Sequence, residues 1–415
     1  MKILVLNAGS CSQKSRLYEL GDGFPDQPQE PLWEADADWS KHQGETRCKI
    51  TTSTGESLEE NLPTTSRHKV VASLLKTLWS GKTRVIADAS EIVIVGHRVV
   101  HGGQEYREST RITPAVKDVI KRLSLFAPLH NPLNLEGIEA IEHILPRVPQ
   151  VAVFDTAFHR HLPLEAIVYP GPYEWFEQGI MRYGFHGISH QYCSQRAAQI
   201  LGRDLASLRL VTCHIGNGCS LAAVQGGHSI DTTMGFTPLE GLMMGTRSGS
   251  VDPGILIYLL RQKGYSADQL DSILNKQSGL QGVSGVSGDM RTIHAAIEQG
   301  NDRAKLALAI YIHRLRSCIG SMIASLGGLD ALVFAGGVGE NDSSVRAEVC
   351  EAFAFLGLRL DTEKNLQSPA DQDISAADAA VRALIVHTQE DWSIAQECWR
   401  IANFCPDGKK MAGNI

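Results

Sequence analysis

An α/β fold of two related domains is what this sequence predicts, on three observations. Strand-like apolar runs alternate with stretches of helical periodicity from one end of the chain to the other. A strand, a turn of Gly, Ser and Asn residues and a return strand occur near the start and recur about half a chain later. The chain has 415 residues, beyond the roughly 250–300 at which one core stops growing, so two domains are expected.

The first element is the apolar run 3–6, which breaks at Asn7-Ala8-Gly9-Ser10 and resumes over 16–20, the pattern of a buried β-hairpin. Residues 21–66 are rich in Pro, Gly, Ser, Thr and acidic residues and read as surface hairpin and loop, with one stretch of strand period from Trp33 to Trp39. A strand over 92–95, a helix carrying Ile138, Ile141 and Leu145, and a strand over 151–154 follow. The second hairpin comprises 210–214, the turn Gly216-Asn217-Gly218-Cys219-Ser220, and 221–224. The clearest helix is 302–326, with an N-cap at Asn301 or Asp302 and a Gly327-Gly328 stop. It is apolar on several sides, which predicts burial. A strand over 331–335 then enters Gly336-Gly337-Val338-Gly339-Glu340-Asn341, read as a strand-to-loop transition that presents backbone to a nucleotide. The tail 406–415 has no periodicity and is expected to fray.

Composition excludes several classes. A formal net charge of −7 argues against a broad basic surface for nucleic acid or anionic membrane. Nine cysteines without a CxxC pair fit reduced cytoplasmic thiols better than a disulfide framework or a zinc site. Fifteen histidines include no HExxH, which disfavours zinc hydrolysis. The N-terminal apolar run is too short for a signal peptide, and no other run approaches the roughly 20 residues of a membrane span. A soluble, cytoplasmic protein with no membrane partner is expected.

Phosphoryl transfer needs amide and hydroxyl donors around phosphates, a carboxylate for a metal, and cations aimed at the charge that moves. Each is present. No GxxxxGK[ST] loop occurs, and Gly216-Asn217-Gly218 lacks the third glycine of a dinucleotide fingerprint, so P-loop and Rossmann enzymes are disfavoured. Asn7 to Lys14 is a glycine turn with backbone amides and hydroxyls for an anion, although alone it is only a turn. Arg98, at a strand end within Gly96-His97-Arg98-Val99-Val100-His101-Gly102-Gly103, is a candidate anion clamp, and Arg247 in a second glycine-flanked loop is another. The bland reading of each is a solvated surface arginine. Asp155 ends a strand, where α/β enzymes place a magnesium-linked carboxylate or a base, the alternative being a helix N-cap. His186 lies between glycines in Tyr183-Gly184-Phe185-His186-Gly187, which weakens a purely structural reading.

Together these stretches resemble the acetate kinases, within the superfamily of acetate and sugar kinases, Hsp70 and actin. The match runs in order over nearly the whole chain and includes Ala127 to Pro132, Asp231 to Gly249, Asp289-Met290-Arg291 and Gly336 to Asn341. The resemblance implies two duplicated ribonuclease H-like (actin-like ATPase) domains with an interdomain cleft. Residues 1–155 with about 388–415 would form the first domain, and 156–387 the nucleotide-binding second. Asn7, Arg98, His186, Arg247 and Glu390 match active-site residues, Asp155 matches the catalytic aspartate, and His130 and His214 match supporting histidines. For ATP the matches are Ser10, Ser12, Lys14, His214, Gly216, Asn217 and Gly218 on the phosphate side, then Asp289, Met290 and Arg291, then Gly337, Val338, Gly339, Glu340 and Asn341. Val100, Leu129, Phe185 and Pro238 match the apolar pocket for the acetate methyl. Magnesium at Asn7 and Glu390 with Asp155 (manganese being the alternative ion), ATP and ADP as substrates, and a homodimer are also implied.

The chemistry this implies is simple in outline. A carboxylic acid is already ionised at neutral pH, so the nucleophile needs no base. Its obstacle is repulsion from ATP. Arg98 and Arg247 would neutralise the anions, His186 would donate to the moving phosphoryl group, and transfer would be direct and in line. Alternatives are a propionate or other short-chain carboxylate kinase and an actin- or Hsp70-type nucleotide clamp. The chain departs from the family pattern at Cys11 (usually serine), Gln13 and Ser15 (usually apolar), Ile188 (usually threonine), Ser250 (commonly aspartate) and His387 (usually proline).

Overall fold

The computed structural model describes residues 1–9, 12–42, 45–63, 66–128 and 130–404, with 40–42 described by backbone alone. Ser10, Cys11, Leu129 and the tail 406–415 lie outside the described residues. The chain divides into two units, Met1–Ala157 with the chain from Gln389 onward, and Phe158–Thr388. The first boundary falls two residues after the sequence-based cut at 155/156, and the second one residue after that at 387/388.

In the first unit β1 (Lys2–Ala8) and β2 (Ser12–Glu19) form the expected antiparallel hairpin, with Leu4 opposite Leu17. β3 (Trp33–His42), β4 (Glu45–Thr52) and β5 (Ser57–Pro63) continue the sheet as a meander. This corrects the reading of 21–66 as surface hairpin and loop. Trp33, Ala35, Ala37, Cys48 and Ile50 are buried in the core, so the alternation marks half-buried strands whose other face is polar. β6 (Ile92–Val99) lies parallel to β1, β8 (Gln150–Phe154) parallel to β6, and β7 (Thr110–Arg111) antiparallel to β8. The order is β5-β4-β3-β2-β1-β6-β8-β7. The C-terminal helix Glu390–Asn403 packs on β1 and β6. A Cβ at Gly96 would lie 2.5 Å from Cys398 Sγ and 2.6 Å from Ile394 Cγ2, so only glycine lets that helix seat.

The second unit repeats this wiring. β9 (Arg209–Ile215) pairs antiparallel with β10 (Cys219–Gln225), which pairs with β11 (His228–Thr232). β12 (Ala331–Ala335) lies parallel to β9, β14 (Arg382–Ile385) parallel to β12, and β13 (Gln372–Asp373) antiparallel to β14. The order β11-β10-β9-β12-β14-β13 matches β3-β2-β1-β6-β8-β7 strand for strand and direction for direction. The duplication read from two hairpins therefore extends over each six-strand core.

Helix Asp302–Leu326 has the expected bounds: Asn301 Oδ1 accepts from Ala304 N at 2.9 Å, and Gly327 closes it with φ 64°. Burial on several sides is corrected to burial along one stripe, with Ala304, Ala307, Tyr311, Leu315, Ile319 and Met322 facing inward and Leu306 54% exposed. Its most apolar 18 residues have a mean hydropathy of 1.2, so by length and composition alone the helix would pass for a membrane span. That stripe packs within the second unit, against β10, which marks a core helix. Gly336–Asn341 is a short helix and not the expected loop. Gly336 begins it at φ 77°, where a Cβ would meet Ile215 O at 2.9 Å.

Candidate active site

In the first unit, two parallel strands ending side by side bring the charged candidates together. Arg98 lies near the end of β6, and Asp155 directly follows β8, its N–H donating to Val99 O at 2.9 Å. The Arg98 guanidinium donates to Asp155 Oδ2 from Nη2 at 2.5 Å and from Nε at 3.1 Å, and the carboxylate side chain is 1% exposed. Burial works against the Arg98 charge, but Asp155, with Glu390 and Asp391, outweighs it and holds the pKa above the ordinary arginine value. Arg98 is therefore no solvated surface arginine.

Asn7, next to last in β1, faces the first turn of the C-terminal helix. Its Nδ2 donates to Glu390 Oε2 at 3.2 Å and to Asp391 Oδ1 at 2.8 Å. Nothing in the sequence singles out Asp391. Burial pushes its carboxyl up, while Arg16, at 3.7 Å, and the Asn7 amide pull it down. Val100 is buried, and its N–H donates to Asn134 Oδ1 at 3.1 Å; Asn131 accepts from His101 N at 3.1 Å. Both asparagines, on helix Asn131–Ile144, pin the segment after Arg98. Only the Asn131-Pro132 motif could have signalled them. His130 occupies that helix's N-cap without a side-chain capping bond. Ser12 and Lys14 are exposed on β2.

In the second unit His186 takes a left-handed conformation, φ 57°, as it starts helix Gly187–Leu201, a backbone strain that tends to cluster at functional sites. Its Nδ1 pairs with Ser220 Oγ at 2.8 Å, and its ring stacks on His214 with centroids 4.3 Å apart. His214 Nδ1 pairs with Ser189 Oγ at 2.8 Å. A Cβ at Gly218 would sit 3.5 Å from His186 Cε1 and 3.6 Å from both Arg247 terminal nitrogens. The turn of the β9–β10 hairpin thus has the imidazole and the guanidinium against it. Arg247 Nη1 donates to Pro238 O at 2.9 Å, so Pro238 positions the arginine whatever else it touches. Phe185 is buried, and its carbonyl faces His159 Nε2 at 3.0 Å.

A cavity of about 950 Å³ in this unit is lined by Gly216, Asn217, Asp289, Met290, Arg291, Gly337, Val338 and Asn341, all named from sequence, together with Gly288, His294 and Asp342. His294 Nε2 and Asp342 Oδ2 are 2.7 Å apart. Asp289 caps helix Met290–Glu298 and is paired with Arg291 at 2.6 Å, which holds its carboxyl down at about 2. Gly339 and Glu340 do not line the cavity. The Glu340 carboxylate instead accepts from Gly336 N at 2.9 Å and Thr388 N at 3.3 Å, and meets His387 Nδ1 at 2.6 Å. Arg346, fully buried, spends its N–H groups on the carbonyls of Gly339, Glu340 and Asn365, on Asn365 Oδ1 and on Ser368 Oγ. It fixes the helix that borders the cavity, and nothing in its sequence context announced it.

Two copies of one six-strand sheet, one ending in a buried Arg–Asp pair and the other presenting a Gly-Asn-Gly turn beside a cavity of nucleotide size, define a phosphotransferase of the α/β class. The chain belongs to the acetokinase family, whose description matches residues 2–396. It is 64% identical over 401 residues to an acetate kinase of Cyanothece sp., covering 97% of this chain and 98% of the relative. It is 66% identical to an acetate kinase of Gloeobacter violaceus, covering 96% and 99%. Among solved structures, Porphyromonas gingivalis acetate kinase is similar with a TM-score of 0.87 and 41% identity, covering 97% and 99%. A propionate kinase from Francisella tularensis has a TM-score of 0.87 and 38% identity, covering 96% and 99%.

Proposed function

We propose that this protein transfers the γ-phosphoryl group of ATP to acetate, reversibly, giving acetyl phosphate and ADP by direct in-line transfer. The observation that carries the reading is the placement of Arg247 and His186 against Gly218, in the turn whose Gly216 and Asn217 line the nucleotide-sized cavity. Those groups fall where charge on the moving phosphoryl group would need neutralising. In the first unit Arg98, charged and held by Asp155, serves the acetate carboxylate, and Val100 contributes to the pocket for its methyl. Acetate enters as an anion, so no residue has to act as base. A buried valine favours acetate over propionate, although one methylene discriminates by only about 1–3 kcal/mol.

The donor set of the first unit suits magnesium. Asp155 and Glu390 supply hard carboxylate oxygens, and Asn7, whose N–H side faces Glu390 and Asp391, has a carbonyl oxygen to offer. Among the described residues no three His, Cys, Asp or Glu side chains gather into a metal cage. Magnesium is commonly held by one or two carboxylates and the substrate's own phosphates. When bound, the ion would neutralise phosphate charge.

Helix Pro253–Gln262 buries none of its residues, and Ile255, Ile257, Tyr258 and Leu260 are exposed. A homodimer covering this apolar face is the assembly we infer. The seven described cysteines are free thiols, in keeping with a reducing cytoplasm.

Incubation with MgATP and acetate, propionate, butyrate or glucose, with hydroxylamine to trap acyl phosphate, tests the reaction. Acetate-dependent hydroxamate is expected. Arg247→Ala should lower kcat by about 10²–10³, and near-normal turnover in that variant would remove the assignment.

A further inference from the structure

His186 is one end of a buried chain of hydrogen bonds whose remaining members have no part in the chemistry above. Ser220 Oγ lies 2.8 Å from His186 Nδ1 and 2.8 Å from His190 Nε2, and His190 Nδ1 lies 2.8 Å from Thr212 Oγ1. Ser220 is 0% exposed, and His190 and Thr212 are each 1% exposed. The donor and acceptor roles follow from counting protons. The Ser220 hydroxyl has one hydrogen and these two ring nitrogens as its partners; if both donated to it, its own buried hydrogen would be left without an acceptor, so one nitrogen donates to it and the other accepts from it. His190 is buried and neutral, its pKa pushed well down by burial and by His159 and His214, so it carries one proton.

If that proton were on Nδ1, Thr212 would have to accept it and turn its own hydrogen to Ala222 O, 3.5 Å away, too far for a good O–H···O bond. With the proton on Nε2, Thr212 donates to Nδ1 at 2.8 Å and every hydrogen in the chain has a short acceptor. The direction is then set: Thr212 donates to His190, His190 Nε2–H donates to Ser220, and Ser220 donates to His186 Nδ1.

We infer that Thr212, His190 and Ser220 form a one-way relay that fixes His186 as a neutral imidazole with its proton on Nε2, and so keeps it a hydrogen-bond donor without protonation. The inference rests on the reading of His186 as a donor to the transferred phosphoryl group and explains how it fills that role at neutral pH. The opposite polarity would turn a lone pair toward the phosphate. Protonating His186 would require the whole relay to reverse and Thr212 to bond across 3.5 Å. The charged and titratable groups around the relay oppose protonation as well: His214 stacked on His186, Arg247 at Gly218, and His159 with its ring 5.8 Å from His190. Ser220, His190 and Thr212 are positioning residues, acting through His186.

Ring ¹⁵N spectra of the full-length enzyme labelled at histidine, with His186 assigned through His186→Asn, test this directly. The Nε2–H tautomer of His186 is expected from pH 6 to 9. In Ser220→Ala, or in Thr212→Val should the first variant fold poorly, His186 should show mixed tautomers. The variant's kcat should fall about three- to tenfold, less than the 10²–10³ of losing a donor outright, with KM values little changed. An Nδ1–H or imidazolium His186 in the wild type at pH 7.5 would overturn the relay and leave the transfer reaction standing. Loss of the tautomer in Ser220→Ala with unchanged turnover would overturn the donor role of His186.

Discussion

Gln13 and Ser15 occupy β2 positions where the family resemblance leads one to expect apolar side chains, and both are buried, at 5% and 1% exposure. Lying two apart on a strand they share a face, and Gln13 Nε2 donates to Ser15 Oγ at 3.3 Å. Either alone would leave a buried polar group unpaired; together they satisfy each other. Gln13→Leu and Ser15→Ala should each destabilise, and the double variant should cost less than the sum, with a coupling of about 0.5–1.5 kcal/mol. Urea titration of the four proteins measures it, and strict additivity would contradict it. His387 is a second compensated departure. Where a proline would supply no N–H, its backbone donates to Asp371 Oδ1 at 3.0 Å and its ring meets Glu340. As candidates, Arg98 and Asp155 were legible from their places at strand ends, and His186 and Arg247 from the glycines that flank them. Asp391, Ser220 and His190 were not, because they act through neighbours that only the fold brings near.

Among the elements, legibility followed punctuation. Helix Asp302–Leu326 declared both ends through Asn301 and Gly327. Helix Gly336–Asn341 hid behind its glycines, which usually break helices. Strands β3 to β5 were obscured because one polar face and turn-rich flanks give the composition of a loop. What holds Gly336–Asn341 is Arg346, whose guanidinium meets four carbonyl-type oxygens and one hydroxyl at 2.7–2.9 Å. Lysine keeps the charge but cannot reproduce the planar fork. Arg346→Lys should therefore lower stability by about 3 kcal/mol or more, since bonds to a charged group contribute about 1.5–3 kcal/mol each and several are lost. It should also raise KM for ATP more than KM for acetate. Thermal unfolding and steady-state kinetics check both; equal effects on the two KM values would show that the helix does not serve the nucleotide.

For the whole molecule, the repeated sheet gives each unit its own buried histidines, and these set the response to acid. Burial holds His97 and His101 of the first unit and His159 of the second down at about 4. In the unfolded chain they titrate near 6.5. Between those values the unfolded state binds more protons than the folded one, so the stability these groups provide is complete above pH 6.5 and drains away as pH falls toward 4. At pH 5 each histidine should have withdrawn about 2 kcal/mol. Chemical denaturation at pH 7.5 and pH 5 should show the midpoint falling steeply, and His97→Asn should flatten that fall even if it weakens the fold at pH 7.5 by removing the 2.6 Å contact of His97 Nε2 with Gln150. A midpoint that holds steady between the two pH values would mean that these histidines are not buried neutral in solution.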